Sequence, residues 1–177
     1  DNQVIGQRSF GSDAQTVAGM VTSELQGLSA AGVYGMVKHF PGHGGTSGDS
    51  HDGAVSTDKT LEELMAEELV PFQSAIDGGV NFVMVGHISA PNVTGDNAPA
   101  TLSKVLITDV LRGQMGYNGI VITDAMNMEA ITGFYNSDKA AVLAVTAGAD
   151  MILMPADYNT AYTGILNAVN DGTITEE

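Results

Sequence analysis

Short apolar runs recur along the chain and predict the strands of a sheet. They are rich in Val, Ile and Met, and most of them do not alternate apolar with polar residues. A strand with one solvated face alternates, whereas a continuous apolar run is typical of a strand buried on both faces of a parallel sheet. The predicted strands are Val33–Val37, Phe82–Val85, Gly119–Thr123 and Met151–Met154.

Segments with helical spacing of apolar residues precede, separate and follow these runs. In Asp13–Ala31 the apolar side chains recur every three or four positions, which places them on one helix face. The other predicted helices are Thr57–Ile76, Leu102–Arg112, Ser137–Ala147 and Thr160–Val169. Pro71 should bend or break the first of these four, since proline lacks an N–H donor. Thr57 or Asp58 is expected to cap its start.

Helices and strands therefore alternate from the first element to the last. Alternation of this kind predicts right-handed βαβ units and a parallel sheet, so the fold class is α/β. A repeating αβ unit is compatible with a closed barrel and with an open sheet. The pattern alone leaves both architectures open.

Composition and charge narrow the possible partners. The chain has 177 residues, a net charge of −15 and no cysteine. The excess of carboxylates disfavours nucleic acid and anionic membrane surfaces, both of which attract basic proteins. No apolar run approaches the ~20 residues of a membrane span, so membrane insertion is not expected. The lack of cysteine fits a secreted or cell-surface protein slightly better than a cytoplasmic one.

Both ends of the sequence have the pattern expected of interior segments of a longer chain. Residues 1–13 form a loop-like opening without a signal peptide. Thr175 followed by two glutamates is typical of a helix start rather than of a helix end. We therefore interpret residues 1–177 as a single partial domain of a longer protein.

Polar side chains follow three of the four predicted strands. Lys38 and His39 come after the first, His87 after the second and Asp124 after the third. The carboxyl ends of parallel strands meet at one edge of an α/β fold, where catalytic groups collect. These residues are expected to share that edge. For His87, which has no partner nearby in sequence, a substrate contact is expected, with a structural role as the alternative.

The segment 40–53, here the glycine-rich loop, concentrates glycine, histidine and aspartate. A phosphate cradle is disfavoured because no Gly-Lys-Ser/Thr follows and no helix starts directly after. A metal site is disfavoured because the spacing of His39 and His43 has no geometric meaning outside a helix. No metal or other cofactor is therefore expected.

Acid/base chemistry is the third interpretation of this loop. Asp49 lies two residues from His51, and a carboxylate beside an imidazole orients the ring and favours its charged form. Such a pair transfers protons near neutral pH. Asp124 supplies a carboxylate from another strand. A carboxylate nucleophile with a separate proton donor is what retaining glycoside hydrolysis requires.

The same residues carry a resemblance to a known family. The runs Lys38-His39-Phe40-Pro41-Gly42-His43-Gly44 and Asp49-Ser50-His51 closely resemble the signature of family 3 glycoside hydrolases of the β-N-acetylhexosaminidase type. Three further segments also resemble parts of the same family: Ile5–Phe10, Ile122–Met128 and Ala147–Met154. The resemblance spans essentially the whole chain.

The resemblance implies a fold, an activity and a set of roles. The fold is a (β/α)8 TIM-type barrel, of which this chain holds about the last four βα units. The activity is removal of terminal β-linked N-acetylhexosamine, chiefly N-acetylglucosamine, from oligosaccharides. Asp124 is then the nucleophile and His51 the acid/base, assisted by Asp49. Arg8, Lys38 and His39 match residues that bind sugar hydroxyls.

The partial barrel and the substrate class leave alternatives open. A barrel needs eight strands and ~250 residues, so the chain should pair with the amino-terminal half of the barrel or with a second copy of itself. A family 3 β-glucosidase, a phosphorylase and a non-catalytic carbohydrate-binding fragment are the rival functions. Asp49-Ser50-His51 argues against the first, because it resembles the hexosaminidase branch.

Overall fold

A computed structural model describes residues 5–46, 53 and 55–175 of the chain. Two short 3-10 helices span Gly6–Arg8 and Ala100–Leu102, and a π-helix spans Val105–Gln114. The strands are β1 Met36–Phe40, β2 Val55–Ser56, β3 Phe82–Val85, β4 Ile88–Ser89 and β5 Ile120–Thr123. The α-helices are α1 Ala14–Ala30, α2 Leu61–Ala66, α3 Val70–Asp77, α4 Pro91–Thr94, α5 Glu129–Thr132, α6 Ser137–Ala147 and α7 Tyr158–Asn170.

The main sheet is parallel and has the strand order β1-β3-β5. Val37 pairs with Val83, and Val83 pairs with Val121. Each strand is separated from the next by helices, as the alternating pattern predicts. The fold is therefore α/β with a parallel sheet, as in part of a TIM-type barrel.

The outer two of the four predicted strands differ from the expectation. The prediction that the first strand covers Val33–Val37 is wrong by three residues, because β1 begins at Met36 and includes Lys38 and His39. The predicted strand Met151–Met154 is reduced to a single parallel bridge between Met151 and Ile122. Backbone pairing with a neighbour, rather than apolarity, decides where these strands begin and end.

The two faces of the main sheet have different surroundings. Val37, Val83 and Val121 point to the face that the helices cover, and each is at most 8% exposed. The preceding register row, Met36, Phe82 and Ile120, points to the opposite face, here called the inner face. Met36 is 42% exposed and Ile120 is 38% exposed. In a barrel this face looks into the interior, where other strands cover it.

The predicted helix Thr57–Ile76 is two helices. Helix α2 ends at Ala66, and α3 begins at Val70 with Pro71 as its second residue, so the expected break at the proline is confirmed. The predicted caps are wrong: Thr60 caps α2. Its hydroxyl accepts a hydrogen bond from the Glu63 N–H, and the Glu63 carboxylate accepts one from the Thr60 N–H. This capping box satisfies two donors at once.

A second, two-stranded parallel sheet joins β2 to β4 and was not predicted. Val55 pairs with Ile88, and the Thr57 N–H extends the ladder to the Ser89 carbonyl. This sheet holds the returning end of the glycine-rich loop against the segment that follows β3. Strands of two residues are too short for periodicity to reveal. In the described part of the chain, helices are too short or too polar to cross a membrane.

Candidate active site

His39 and Asp124 meet at the edge where β1, β3 and β5 end, here called the carboxyl-end rim. His39 is the fourth residue of β1, and Asp124 directly follows β5. His39 Nε2 lies 3.7 Å from Asp124 Oδ2, with the side chains 11% and 15% exposed. The strand order places β3 between them, so the contact spans the rim. The structure thus brings together two of the residues that sequence analysis selected.

The His39 ring is neutral at pH 7. Burial lowers the pKa of His39 from 6.5 to about 4, although the nearby Asp124 carboxylate acts in the opposite direction. A neutral imidazole forms no ion pair, and 3.7 Å is too long for a hydrogen bond. The two side chains are therefore neighbours at the rim without a hydrogen bond to each other.

The carboxylate of Asp124 is oriented by the backbone around it. The Asp124 N–H donates to the Val85 carbonyl at 2.8 Å, which ties the residue to the end of β3. The Ala125 N–H donates to Asp124 Oδ1, also at 2.8 Å. Because Oδ1 is held from the turn, Oδ2 is the oxygen that lies toward His39. Such an arrangement suits a nucleophile, whose attacking oxygen needs a fixed direction.

Lys38 and Arg8 both lie near this pair. Each cation lowers the pKa of His39, so both are within electrostatic reach of the ring. Lys38 belongs to β1 and is exposed, and Arg8 ends the first 3-10 helix, where its Nε donates to the Ile5 carbonyl. Both side chains carry several N–H donors, which suit the oxygen atoms of a polar ligand. The predicted roles of Arg8 and Lys38 in sugar binding stay predictions.

The start of the glycine-rich loop packs against the His39 segment. The Gly42 N–H donates to the His39 carbonyl, and the His43 and His39 rings meet edge to face at 5.8 Å. His43 is buried, and its Nδ1 lies 3.0 Å from the Thr46 hydroxyl. The predicted acid/base pair, Asp49 and His51, lies outside the described residues. Among the residues the structure describes, no His, Asp or Glu cluster suits a metal ion.

Glu68 explains two glycines of this loop. A Cβ on Gly42 would lie 2.6 Å from Glu68 Cβ, and a Cβ on Gly45 would lie 2.5 Å from Glu68 Oε1. Glu68 Oε1 also accepts a hydrogen bond from Lys59 Nζ at 2.6 Å. Glu68 Oε2 is buried and has no hydrogen-bond partner among the described residues. These two glycines therefore fit a buried carboxylate, and no phosphate is needed to explain them.

His87 lies behind the rim rather than on its surface. The residue is 1% exposed. Its Nδ1 is 2.9 Å from the Thr101 hydroxyl, and its Nε2 is 3.0 Å from the Ala125 carbonyl. Sequence analysis did not select Thr101 or Glu68, because both lie in segments without a motif. A polar residue between apolar neighbours, such as Thr101 between Ala100 and Leu102, was the only available signal.

The parallel sheet and the polar carboxyl-end rim define the class as an α/β protein and are consistent with part of a TIM-type barrel. Residues 1–177 match the model of the glycosyl hydrolase family 3 N-terminal domain. The chain therefore belongs to glycoside hydrolase family 3, through the N-terminal domain of that family.

Individual relatives agree with this assignment. A β-hexosaminidase of Chromobacterium violaceum is 39% identical over 151 residues, which cover 85% of this chain and 42% of the relative. A family 3 β-N-acetylglucosaminidase from Paenibacillus sp. str. FPU-7 is 44% identical, with a TM-score of 0.95 over 99% of this chain and 34% of its own. A β-glucoside phosphorylase, BglX bound to 2FGlc, is 28% identical, with a TM-score of 0.90 over 96% of this chain and 32% of its own. The chain thus spans less than half of each of these relatives.

Proposed function

We propose that the protein containing this chain is a retaining glycoside hydrolase that removes terminal β-linked N-acetylhexosamine, chiefly N-acetylglucosamine. The observation that supports this most directly is the Asp124 carboxylate, with one oxygen held by the Ala125 N–H and the other near His39. A fixed carboxylate at the carboxyl-end rim is suited to attack a sugar carbon. The relatives named β-hexosaminidase and β-N-acetylglucosaminidase support the substrate class.

The proposed reaction has two steps. In the first, Asp124 Oδ2 attacks the anomeric carbon, the bond to the leaving-group oxygen breaks, and His51 donates the proton that this oxygen takes up. In the second, His51 removes a proton from water, whose oxygen displaces Asp124 from the anomeric carbon. Asp49 orients the His51 ring. Two inversions return the original configuration at that carbon.

The neutral His39 ring fits a binding role in this scheme. A neutral imidazole has one N–H donor and one acceptor nitrogen, which suits a sugar hydroxyl. Lys38 and Arg8 supply further donors at the rim. Binding of hydroxyls here would place the anomeric carbon beside Asp124.

The nucleophile assignment is tested by Asp124→Asn in the full-length protein. The amide keeps the size of the side chain but cannot form a stable glycosyl ester, so release of an aryl leaving group from an N-acetylglucosaminide should be abolished. Asp109→Asn is the matched control, because Asp109 is an exposed carboxylate on the π-helix. Normal turnover by Asp124→Asn excludes the nucleophile role.

The acid/base assignment is tested by His51→Ala with two classes of leaving group. Protonation matters most for a poor leaving group, so turnover of an alkyl glycoside should fall far more than turnover of an activated aryl glycoside. Equal losses for both classes would argue against His51 as the proton donor.

Phosphorolysis is the second candidate, because a β-glucoside phosphorylase shares this fold at 28% identity. In that reaction phosphate instead of water attacks the glycosyl-enzyme. Product analysis with and without phosphate separates the two, and comparison of a glucoside with an N-acetylglucosaminide tests the sugar class. A chain that binds N-acetylglucosamine without turnover of either substrate would be the non-catalytic alternative.

We propose further that residues 1–177 form one partial domain that pairs with the amino-terminal half of the same barrel. The exposed Met36 and Ile120 of the inner face support this pairing, since strands of a complete barrel would cover them.

A further inference from the structure

His87 is buried directly behind the turn that carries Asp124. It follows β3 by two residues, and its ring reaches the Ala125 carbonyl on one side and the Thr101 hydroxyl on the other. Thr101 is fully buried in the 3-10 helix Ala100–Leu102. The ring therefore connects a rigid helical turn to the backbone next to the proposed nucleophile.

The partners of the ring determine which nitrogen carries the proton. A carbonyl oxygen can only accept, so His87 Nε2 must donate to the Ala125 carbonyl. In the neutral ring, Nδ1 is then the acceptor, and the Thr101 hydroxyl donates to it. The Ala125 carbonyl thus selects the tautomer with the proton on Nε2, and the Thr101 hydroxyl completes it by donating to Nδ1, since a hydroxyl can donate or accept.

The hydrogen bond from His87 fixes one side of a short backbone segment. The peptide unit between Ala125 and Met126 is held at both ends. Its carbonyl accepts from His87 and from the Met128 N–H, and its N–H donates to the Leu153 carbonyl at 2.9 Å. On the other side of Asp124, the N–H donates to Val85. Asp124 therefore lies between two anchored peptide units, and the Ala125 N–H between them holds Oδ1.

We propose that His87 is a positioning residue for the nucleophile. By holding the Ala125 carbonyl, the ring fixes the direction of the Ala125 N–H and with it the aim of the Asp124 carboxylate. His87 itself does not transfer a proton or touch the sugar. This role rests on the proposed function, in which Asp124 attacks the anomeric carbon.

The test compares His87→Asn with His87→Gln in the full-length protein. The Gln amide nitrogen can occupy the place of Nε2 and donate to Ala125, whereas the shorter Asn amide reaches only the position of Nδ1. His87→Asn should lower kcat for an aryl N-acetylglucosaminide about 10- to 100-fold with KM changed less than about threefold, as small misplacement of a reacting group does. His87→Gln should keep most of the wild-type kcat. Both melting temperatures are measured to separate this loss from unfolding.

Thr101→Val is the second test of the positioning role and replaces His87→Asn if that variant does not fold. It keeps the shape of Thr101 but removes the hydroxyl that holds the His87 ring through Nδ1, so kcat should fall while KM stays near the wild-type value. A wild-type kcat in Thr101→Val or His87→Asn, or equal losses in the Asn and Gln variants, would overturn the positioning role. A wild-type protein that does not turn over the glucosaminide would instead contradict the proposed function, and the role of His87 with it.

Discussion

Burial of the His39 imidazole beside Asp124 makes the stability of the rim depend on pH. The pKa of His39 is about 4 in the folded chain, against 6.5 for the ordinary group. Between these values the unfolded chain holds a proton that the folded chain excludes. The free energy of unfolding therefore rises with pH across this window and falls as pH is lowered from about 6.5 to about 4.

Replacing His39 by Asn should remove this dependence. The difference in unfolding free energy between wild type and His39→Asn should change by up to about 1.4 kcal/mol per pH unit inside the window and level off above pH 7. Thermal denaturation at several pH values between about 4.5 and about 7.5 measures it, because this range spans most of the interval between the two pKa values of His39. Parallel pH profiles for the two proteins would show that the ring is not buried in its neutral form.

Gly44 and Gly45 of the glycine-rich loop provide a matched pair of substitutions. A methyl group on Gly45 would collide with Glu68 Oε1, whereas a methyl group on Gly44 would meet nothing within 4 Å. Gly45→Ala should therefore displace the carboxylate from Lys59 and destabilise the protein by about 1 kcal/mol, the low end of the cost of overpacking, because the end of the Glu68 side chain can move. Gly44→Ala should melt within about one degree of wild type, since it creates no contact. Equal melting temperatures for the two variants would contradict the packing of Glu68 under this loop.

For individual residues, the motifs identified those at the carboxyl-end rim but not the residues that pack behind them. Lys38, His39 and Asp124 carry their chemistry in the motif itself. Glu68 and Thr101 act through packing against a loop and a ring that are distant in sequence, and a single sequence has no pattern that reports such contacts. The burial of His87 was hidden for the same reason, because only the fold places Ala125 and Thr101 on either side of its ring.

Among the elements, the start of α2 offers the clearest energetic test. Thr60→Ala removes the hydroxyl of the capping box and should destabilise the protein by about 1 kcal/mol. Thr146→Ala is the control: Thr146 is exposed in the last turn of α6, where alanine is the better helix former, so stability should be unchanged or slightly higher. An equal loss of stability in the two variants would mean that the Thr60 cap makes no specific contribution.

Local chemistry explains which elements could be predicted. Ser137–Ala147 and Phe82–Val85 were predicted to the residue, because periodicity, flanking glycines and length agree there. The shift of β1 has a different origin: its polar residues pair within the sheet, and no apolar pattern marks them. The π-helix Val105–Gln114 was predicted as an ordinary helix over Leu102–Arg112, because both share nearly the same apolar spacing.

For the molecule as a whole, the exposed apolar side chains of the inner face determine whether the isolated chain associates. Met36 on β1, Ile120 on β5 and Met151, which follows β5 in the sheet through its bridge to Ile122, are 38% to 47% exposed. Apolar side chains grouped on one face favour association with another surface. The 18.3 kDa chain alone should therefore self-associate or bind a hydrophobic dye, and added amino-terminal half should suppress both.

Sedimentation of the isolated chain tests this expectation. Ile120→Thr combined with Met151→Thr should shift the distribution toward monomer, while exposed Tyr162→Thr on α7 controls for a change outside the inner face. A stable monomer of the unaltered chain at micromolar concentration would argue against the pairing of two half-barrels.

The central claim is that Asp124 becomes covalently bonded to the sugar during turnover. The full-length protein is mixed with an activated aryl N-acetylglucosaminide, quenched in denaturant while substrate remains, and digested for peptide mass spectrometry. The peptide containing Asp124 should gain the mass of one N-acetylhexosaminyl group, and the corresponding peptide of Asp124→Asn should not. A label on another carboxylate, or turnover with retained configuration and no labelled peptide, would contradict it.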